Sequence, residues 1–266
     1  MNSLIKKNNV KISGDGDRVL LFAHGYGCNQ KMWRFIAPEF EHDYKVILID
    51  LVGYGESDVD GFDKVKYSSL KGYATDIIEL CEALELKEIT LIGHSVSAMI
   101  GLHVSIMAPE LINKLIMIGP SPCYIDQDNY TGGFSKEDID ELIDTVNSNY
   151  LGWSSAITPV IMGNPDKPEL TAELKNSFCQ TNPEIAKQFA EVTFKGDERQ
   201  YLDKCFAKTL IIQSKLDIIA PVAVGNYVHK NLVNSELKIL NTNGHCPHMS
   251  APQETIAAIK EYLDAK

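Results

Sequence analysis

The chain of 266 residues has no uninterrupted apolar run of the ~18–20 residues that a membrane-spanning helix needs. Its opening, Met1-Asn2-Ser3-Leu4-Ile5-Lys6-Lys7, is followed by no apolar stretch before Gly14, so no secretory signal is expected. None of the six cysteines (Cys28, Cys81, Cys123, Cys179, Cys205, Cys246) forms a Cys-x-x-Cys pair. Scattered in this way, they read as reduced thiols of a cytoplasmic protein. Positive charge is scarce: 25 Lys and Arg stand against 36 Asp and Glu, a net charge of −11. A field of that sign repels nucleic acid and anionic lipid, which leaves small neutral ligands or proteins as partners. Internal repeats and low-complexity tracts are also missing. With 44% hydrophobic and 23% charged residues, the composition is that of a globular protein, not a disordered chain or a fibre. The length fits one α/β domain with an insertion as well as it fits two domains.

Short apolar runs ended by glycine or a polar loop mark strands buried on both faces. They occur after Arg18 (Val-Leu-Leu-Phe-Ala) and over residues 45–50, 88–92 and 114–118, then again over 209–213 and 236–240. Between them, Tyr73, Ile77, Leu80, Cys81 and Leu84 recur at steps of three and four, the spacing of an amphipathic helix over 70–84. Residues 96–107 read as an apolar helix, and 252–265 as a closing one. Alternating strands and helices with short connections predict a mostly parallel sheet covered on both faces. After Pro122 only helical signals appear: Ser135 as a cap before Ile139, Leu142, Ile143 and Val146, then segments near 154–162, 168–179 and 183–194. The organisation expected is an α/β core over 1–120, a helical lid over 121–205 and a return to the core over 206–266.

The strand over 88–92 runs through Gly93-His94-Ser95-Val96-Ser97 into a helix. Such a turn holds its serine in a strained conformation with the hydroxyl above the sheet. Ser97 stands where the pattern Gly-x-Ser-x-Gly has its last glycine. A serine nucleophile needs a base, and the base an orienting carboxylate. Asp217 follows the strand over 209–213, and His245 follows the one over 236–240 behind Gly244. The chain order Ser95, Asp217, His245 is that of the α/β-hydrolase arrangement. Asp197 and Asp203 are alternative acids, and His248 an alternative base. Donors for an oxyanion are expected from the backbone N–H of Val96 and from that of Tyr26, in the loop His24-Gly25-Tyr26-Gly27. His24 is expected to brace that loop. The loop lacks the Lys-Ser/Thr ending and the full glycine pattern of a nucleotide-binding turn. His245-Cys246-Pro247-His248 has no zinc-type spacing, so no metal is expected. A haloalkane dehalogenase would need Asp in place of Ser95 and is rejected.

Five segments together carry a resemblance: His24–Gln30, Gly93–Met99, Gly119–Tyr124, Gly132-Gly133-Phe134 and Gly244–Ser250. They are similar to those of the RsbQ-type α/β-hydrolases, bacterial regulators of the general stress response to which plant karrikin and strigolactone receptors are related. The resemblance implies a four-helix lid over an apolar pocket lined by Tyr124, Phe134, Leu142, Trp153, Ile157 and Phe194. It implies the Ser95, Asp217 and His245 triad, with Tyr26 and Val96 at the oxyanion. It also implies a protein partner, a serine phosphatase with a PAS-type sensory domain. Ser97 matches the karrikin-receptor branch. Tyr26 replaces a common Phe, which places an added hydroxyl at the pocket mouth. Two functions follow: a cofactor-independent serine hydrolase for a small hydrophobic ester or lactone, or a ligand sensor whose lid change engages the partner.

Overall fold

The computed structural model describes residues 2–265. The chain begins with α1 (Asn2–Lys7), β1 (Lys11–Ser13), β2 (Arg18–Ala23) and β3 (Tyr44–Ile49). There follow α2 (Leu70–Ala83), β4 (Ile89–His94), α3 (Val96–Met107) and β5 (Ile112–Ile118). The chain then leaves the sheet for α4 (Lys136–Met162), α5 (Pro168–Gln180) and α6 (Pro183–Phe194). It returns through β6 (Lys208–Leu216), α7 (Val222–Asn231), β7 (Ser235–Asn243), α8 (Pro247–Ser250) and α9 (Pro252–Asp264).

The seven strands form one sheet in the order β1-β3-β2-β4-β5-β6-β7. Every neighbouring pair is parallel except β1 with β3, where Lys11 faces Leu48. The expected mostly parallel sheet is therefore present. Burial explains the continuous apolar runs: all six residues of β4 are buried, as are five of the six in β2. At the edge, β7 places Glu236 and Lys238 among largely exposed positions, and such charges discourage pairing with another chain. Strand β1 was not read from the sequence, because three mostly exposed residues give no burial pattern. Helices α1 and α7 were missed as well; α7 buries only Val224, Gly225 and Val228, too few for a clear stripe.

The helical insertion lies between β5 and β6, over the carboxyl ends of the strands. Ser135 starts α4 with a capping box: its Oγ accepts from the Asp138 N–H at 3.0 Å, while the Asp138 carboxylate accepts from the Ser135 N–H at 2.9 Å. α4 is broken at Asn149, whose φ of −149° and ψ of 72° are not helical. The Asn149 side-chain Oδ1 accepts from the Gly152 N–H at 3.0 Å and so caps the second half. Two halves of α4 with α5 and α6 make the four helical segments of the lid. Among the described residues no helix is long and apolar enough to cross a membrane, and the six cysteines are free.

Candidate active site

Ser95 sits between β4 and α3 with φ +56° and ψ −122°, a region that non-glycine residues rarely enter. Its N–H donates to the Ile118 carbonyl at the end of β5 at 2.8 Å, so the neighbouring strand fixes the strained turn. Ser97 is fully buried, and its hydroxyl donates to the carbonyl of His24. This accounts for a serine where the elbow pattern has glycine: the hydroxyl ties the turn to the loop after β2. In that loop Gly25 passes so close that a Cβ there would lie 2.6 Å from His94 Nδ1 and 3.2 Å from the Ser95 Cβ. A side chain at 25 would push the Tyr26 backbone away from Ser95. His24 braces the loop as expected, with Nδ1 against the Gly25 carbonyl at 2.8 Å and Nε2 accepting from the Leu51 N–H at 3.0 Å. Burial lowers its pKa, which suits that neutral tautomer.

The three residues anticipated from chain order are brought together. His245 Nε2 lies 2.8 Å from Ser95 Oγ, and His245 Nδ1 lies 2.7 Å from Asp217 Oδ2. A carboxylate only accepts, so Nδ1 carries the proton and Nε2 offers its lone pair to the serine hydroxyl. The other Asp217 oxygen accepts from the N–H groups of Ile219 and Ala220, at 2.9 and 3.0 Å, so the loop after β6 aims the carboxylate. The alternatives lie elsewhere. Asp197 is held by Arg199, and Asp203 is exposed in a 3₁₀ turn. His248 is completely buried in α8 against Trp33, with ring centroids 4.7 Å apart, and burial drives its pKa down to about 3.

The His245 loop is also fastened to the lid. Its N–H donates to the Ile161 carbonyl of α4 at 2.8 Å. Gly244, at φ +85°, lies so near the end of α4 that a Cβ would come within 1.8 Å of the Met162 carbonyl oxygen. Val96 opens α3, so its N–H belongs to the first turn, which has no intrahelical acceptor.

A cavity of about 50 Å³ lies above Ser95 and His245, and Tyr124, Phe134, Leu142, Trp153, Ile157 and Phe194 all line it. Seven further lining residues escaped the sequence reading: Cys28, His94, Ile161, Phe178, Thr193, Ile219 and Cys246. They come from seven separate segments, and no local pattern links them. Tyr124 is buried, and that burial raises its phenol to about 12 even though Ser95 beside it pulls the other way. Tyr26 requires a correction. Its hydroxyl is not at the pocket mouth; it donates to the Ala186 carbonyl of α6 at 2.9 Å. Its ring packs on Tyr54, Trp153, Phe178, Phe189 and Phe194. The added oxygen is a tie between core and lid.

A family model for the α/β-hydrolase fold matches residues 18–141. The karrikin insensitive 2 receptor IA of Petunia hybrida is 36% identical over 264 residues, which is 99% of this chain and 96% of that protein. The strigolactone esterase D14 of Arabidopsis thaliana is 34% identical over 263 residues, 98% of each chain. The solved structure of a hydrolase from Oleispira antarctica matches with a TM-score of 0.97 at 40% identity, over 100% of this chain and 97% of that one.

Proposed function

Because this chain belongs to the α/β-hydrolase fold family, we propose that it is a serine hydrolase acting on small, neutral, hydrophobic esters or lactones. The observation that carries the proposal is the relay Ser95–His245–Asp217, with steps of 2.8 and 2.7 Å, at the floor of an apolar cavity. Ser95 Oγ attacks the carbonyl carbon while His245 Nε2 takes its proton. Asp217 holds the imidazole in the required tautomer and stabilises the imidazolium. The N–H groups of Val96 and Tyr26 receive the oxyanion of the tetrahedral intermediate. His245 then passes the proton to the leaving alkoxide, and water activated by the same imidazole releases the acid from Ser95. For a lactone the alcohol and acid stay on one molecule. No cofactor enters this cycle.

Cavity size and lining support the substrate class. At about 50 Å³ the cavity is small, and its lining is almost wholly apolar, which fits a compact hydrophobic molecule. No Lys or Arg lines it, which disfavours an anionic acyl group. We place the protein in the cytoplasm, where six free thiols suit a reducing compartment.

A second reading is favoured by the bonds between the lid and the His245 loop. If the lid over 121–205 moves when a ligand enters, the base moves with it, so occupancy and surface shape are linked. Relatives named as receptors, and the resemblance to RsbQ-type regulators, support a sensor that hydrolyses slowly and engages a partner such as a PAS-domain serine phosphatase. One experiment separates the two: p-nitrophenol release from a short acyl ester by wild type and Ser95→Ala, with the intact mass followed. Steady turnover lost in the variant supports the hydrolase. A single burst with a lasting adduct supports the sensor. Equal rates in the two proteins remove Ser95 as nucleophile.

A further inference from the structure

Behind the Ser95–His245 pair lie polar groups that the proposed reaction leaves idle. His94 ends β4, while Cys246 and His248 follow the base in the chain. One ligating atom from each of the three lies within 4.8 Å of the other two, and all three side chains are buried. His94 Nε2 donates to the His245 carbonyl at 2.8 Å, but its Nδ1 has no hydrogen-bond partner, and neither ring nitrogen of His248 has one. The indole N–H of Trp33, whose ring packs at a tilt against His248, is unpartnered too. The rings of His94 and His248 are themselves 4.5 Å apart. Buried polar atoms are nearly always satisfied, so this concentration of orphaned nitrogens calls for an occupant. Local spacing gave no sign of it, because the third ligand arrives from a different strand.

We propose that His94, Cys246 and His248 bind a single thiophilic cation, Cu⁺ in preference to Zn²⁺. One thiolate and two imidazoles form a soft N₂S donor set. Coordination number decides between the two ions. On binding, the Cys246 thiol releases its proton to solvent, leaving a thiolate and two neutral imidazoles. Three donors satisfy Cu⁺, whereas Zn²⁺ in a closed protein site takes four, and the cluster of described residues supplies three. With metal–ligand distances of ~2.0–2.3 Å in a trigonal site, the ligating atoms must approach to about 3.5–3.7 Å, a closing of up to about 1.3 Å. An entry path exists, since His94 and Cys246 both line the cavity above Ser95. The inference does not depend on the hydrolase reading.

The test is an anaerobic titration of the full chain with Cu⁺ held by a chromogenic Cu⁺ chelator. Wild type should withdraw one equivalent and develop a near-ultraviolet thiolate-to-copper absorption. Cys246→Ser and His248→Gln, each checked for folding by circular dichroism, should bind at least about tenfold more weakly. Ser95→Ala should bind as wild type does, and Zn²⁺ should bind less tightly than Cu⁺. X-ray absorption on loaded wild type should show one sulfur and two nitrogen ligands, and this needs no variant to fold. The proposal is overturned by failure to withdraw copper, by undiminished affinity in a folded variant, by tighter Zn²⁺ binding, or by a sulfur-only shell.

Discussion

Replacing Tyr26 with Phe removes one oxygen and asks what that oxygen does. It donates to the Ala186 carbonyl at 2.9 Å, joining the loop after β2 to lid helix α6. Ala186 lies inside α6 (Pro183–Phe194), so its carbonyl keeps an intrahelical N–H from four residues on. The loss is then one net hydrogen bond, about 1 kcal/mol, without the larger cost of an orphaned carbonyl. In a chain of this size that lowers the melting temperature by roughly 2–4 °C. The aromatic packing around the ring survives, and so does the Tyr26 backbone N–H proposed for the oxyanion. Turnover of a short p-nitrophenyl ester should therefore stay within about twofold of wild type. Thermal melting and steady-state kinetics on the same preparation provide the check. An unchanged melting temperature together with a large shift in KM would show that the hydroxyl meets the substrate, refuting its assignment as a tie to the lid.

Asp217→Asn lets an amide N–H face His245 Nδ1, which favours the tautomer whose Nε2 cannot accept from Ser95. The rate of ester cleavage should fall by roughly 10⁴ with the fold intact, and a loss under tenfold would count against the relay. His248 takes a proton in the folded state only near pH 3, because it is buried, whereas in the unfolded chain it does so near 6.5. Between those values the unfolded chain binds more protons. The stability this contributes is complete above pH 6.5 and falls with pH by about 1.4 kcal/mol per unit, down to about 3. Urea unfolding from pH 7 to 4 should thus show a shallower acid loss in His248→Gln, and an unaltered slope would contradict the burial argument. Gly244→Ala puts a Cβ 1.8 Å from the Met162 carbonyl oxygen at a φ of +85°, so the His245 loop or the end of α4 must move. Ester turnover should fall at least about tenfold, with a lowered melting temperature; wild-type kinetics would mean that the lid contact is dispensable.

Much of the fold could be read from the sequence because its signals are local. The five buried residues of β2 are apolar in a row, as are Leu91 and Ile92 at the centre of the buried β4, since helices cover both faces of the sheet. The capping box at Ser135 is written in four consecutive residues. Ser95, Asp217 and His245 were legible for a related reason: each follows a strong strand, and parallel strands deliver their carboxyl ends to one edge. What stayed hidden depends on packing between distant segments. Nothing near Ser97 shows that its hydroxyl reaches the His24 carbonyl, 73 residues away in the chain. The break at Asn149 left only a gap between two helical patterns.

The same distinction explains the two places where the sequence reading fell short at the site. The resemblance, which has phenylalanine at the position of Tyr26, implied an added hydroxyl at the pocket mouth. A phenol, however, presents its ring and its hydroxyl to different neighbours. Here the ring meets the cavity and the aromatic lid, while the oxygen lies about one ring length away at the backbone of α6, where a donor can be satisfied without water. His94 illustrates the converse. In the sequence it is only the middle of a serine turn, and Cys246-Pro247-His248 only the sequel to a base. Parallel pairing of β4 with β5, then β5 with β6 and β6 with β7, aligns the carboxyl ends of those strands. The loop after β7 then folds back to bring Cys246 and His248 against His94, which ends β4. The sheet order that assembles the proposed relay therefore also assembles the buried N₂S cluster, and a change that shifts the loop after β7 should disturb both.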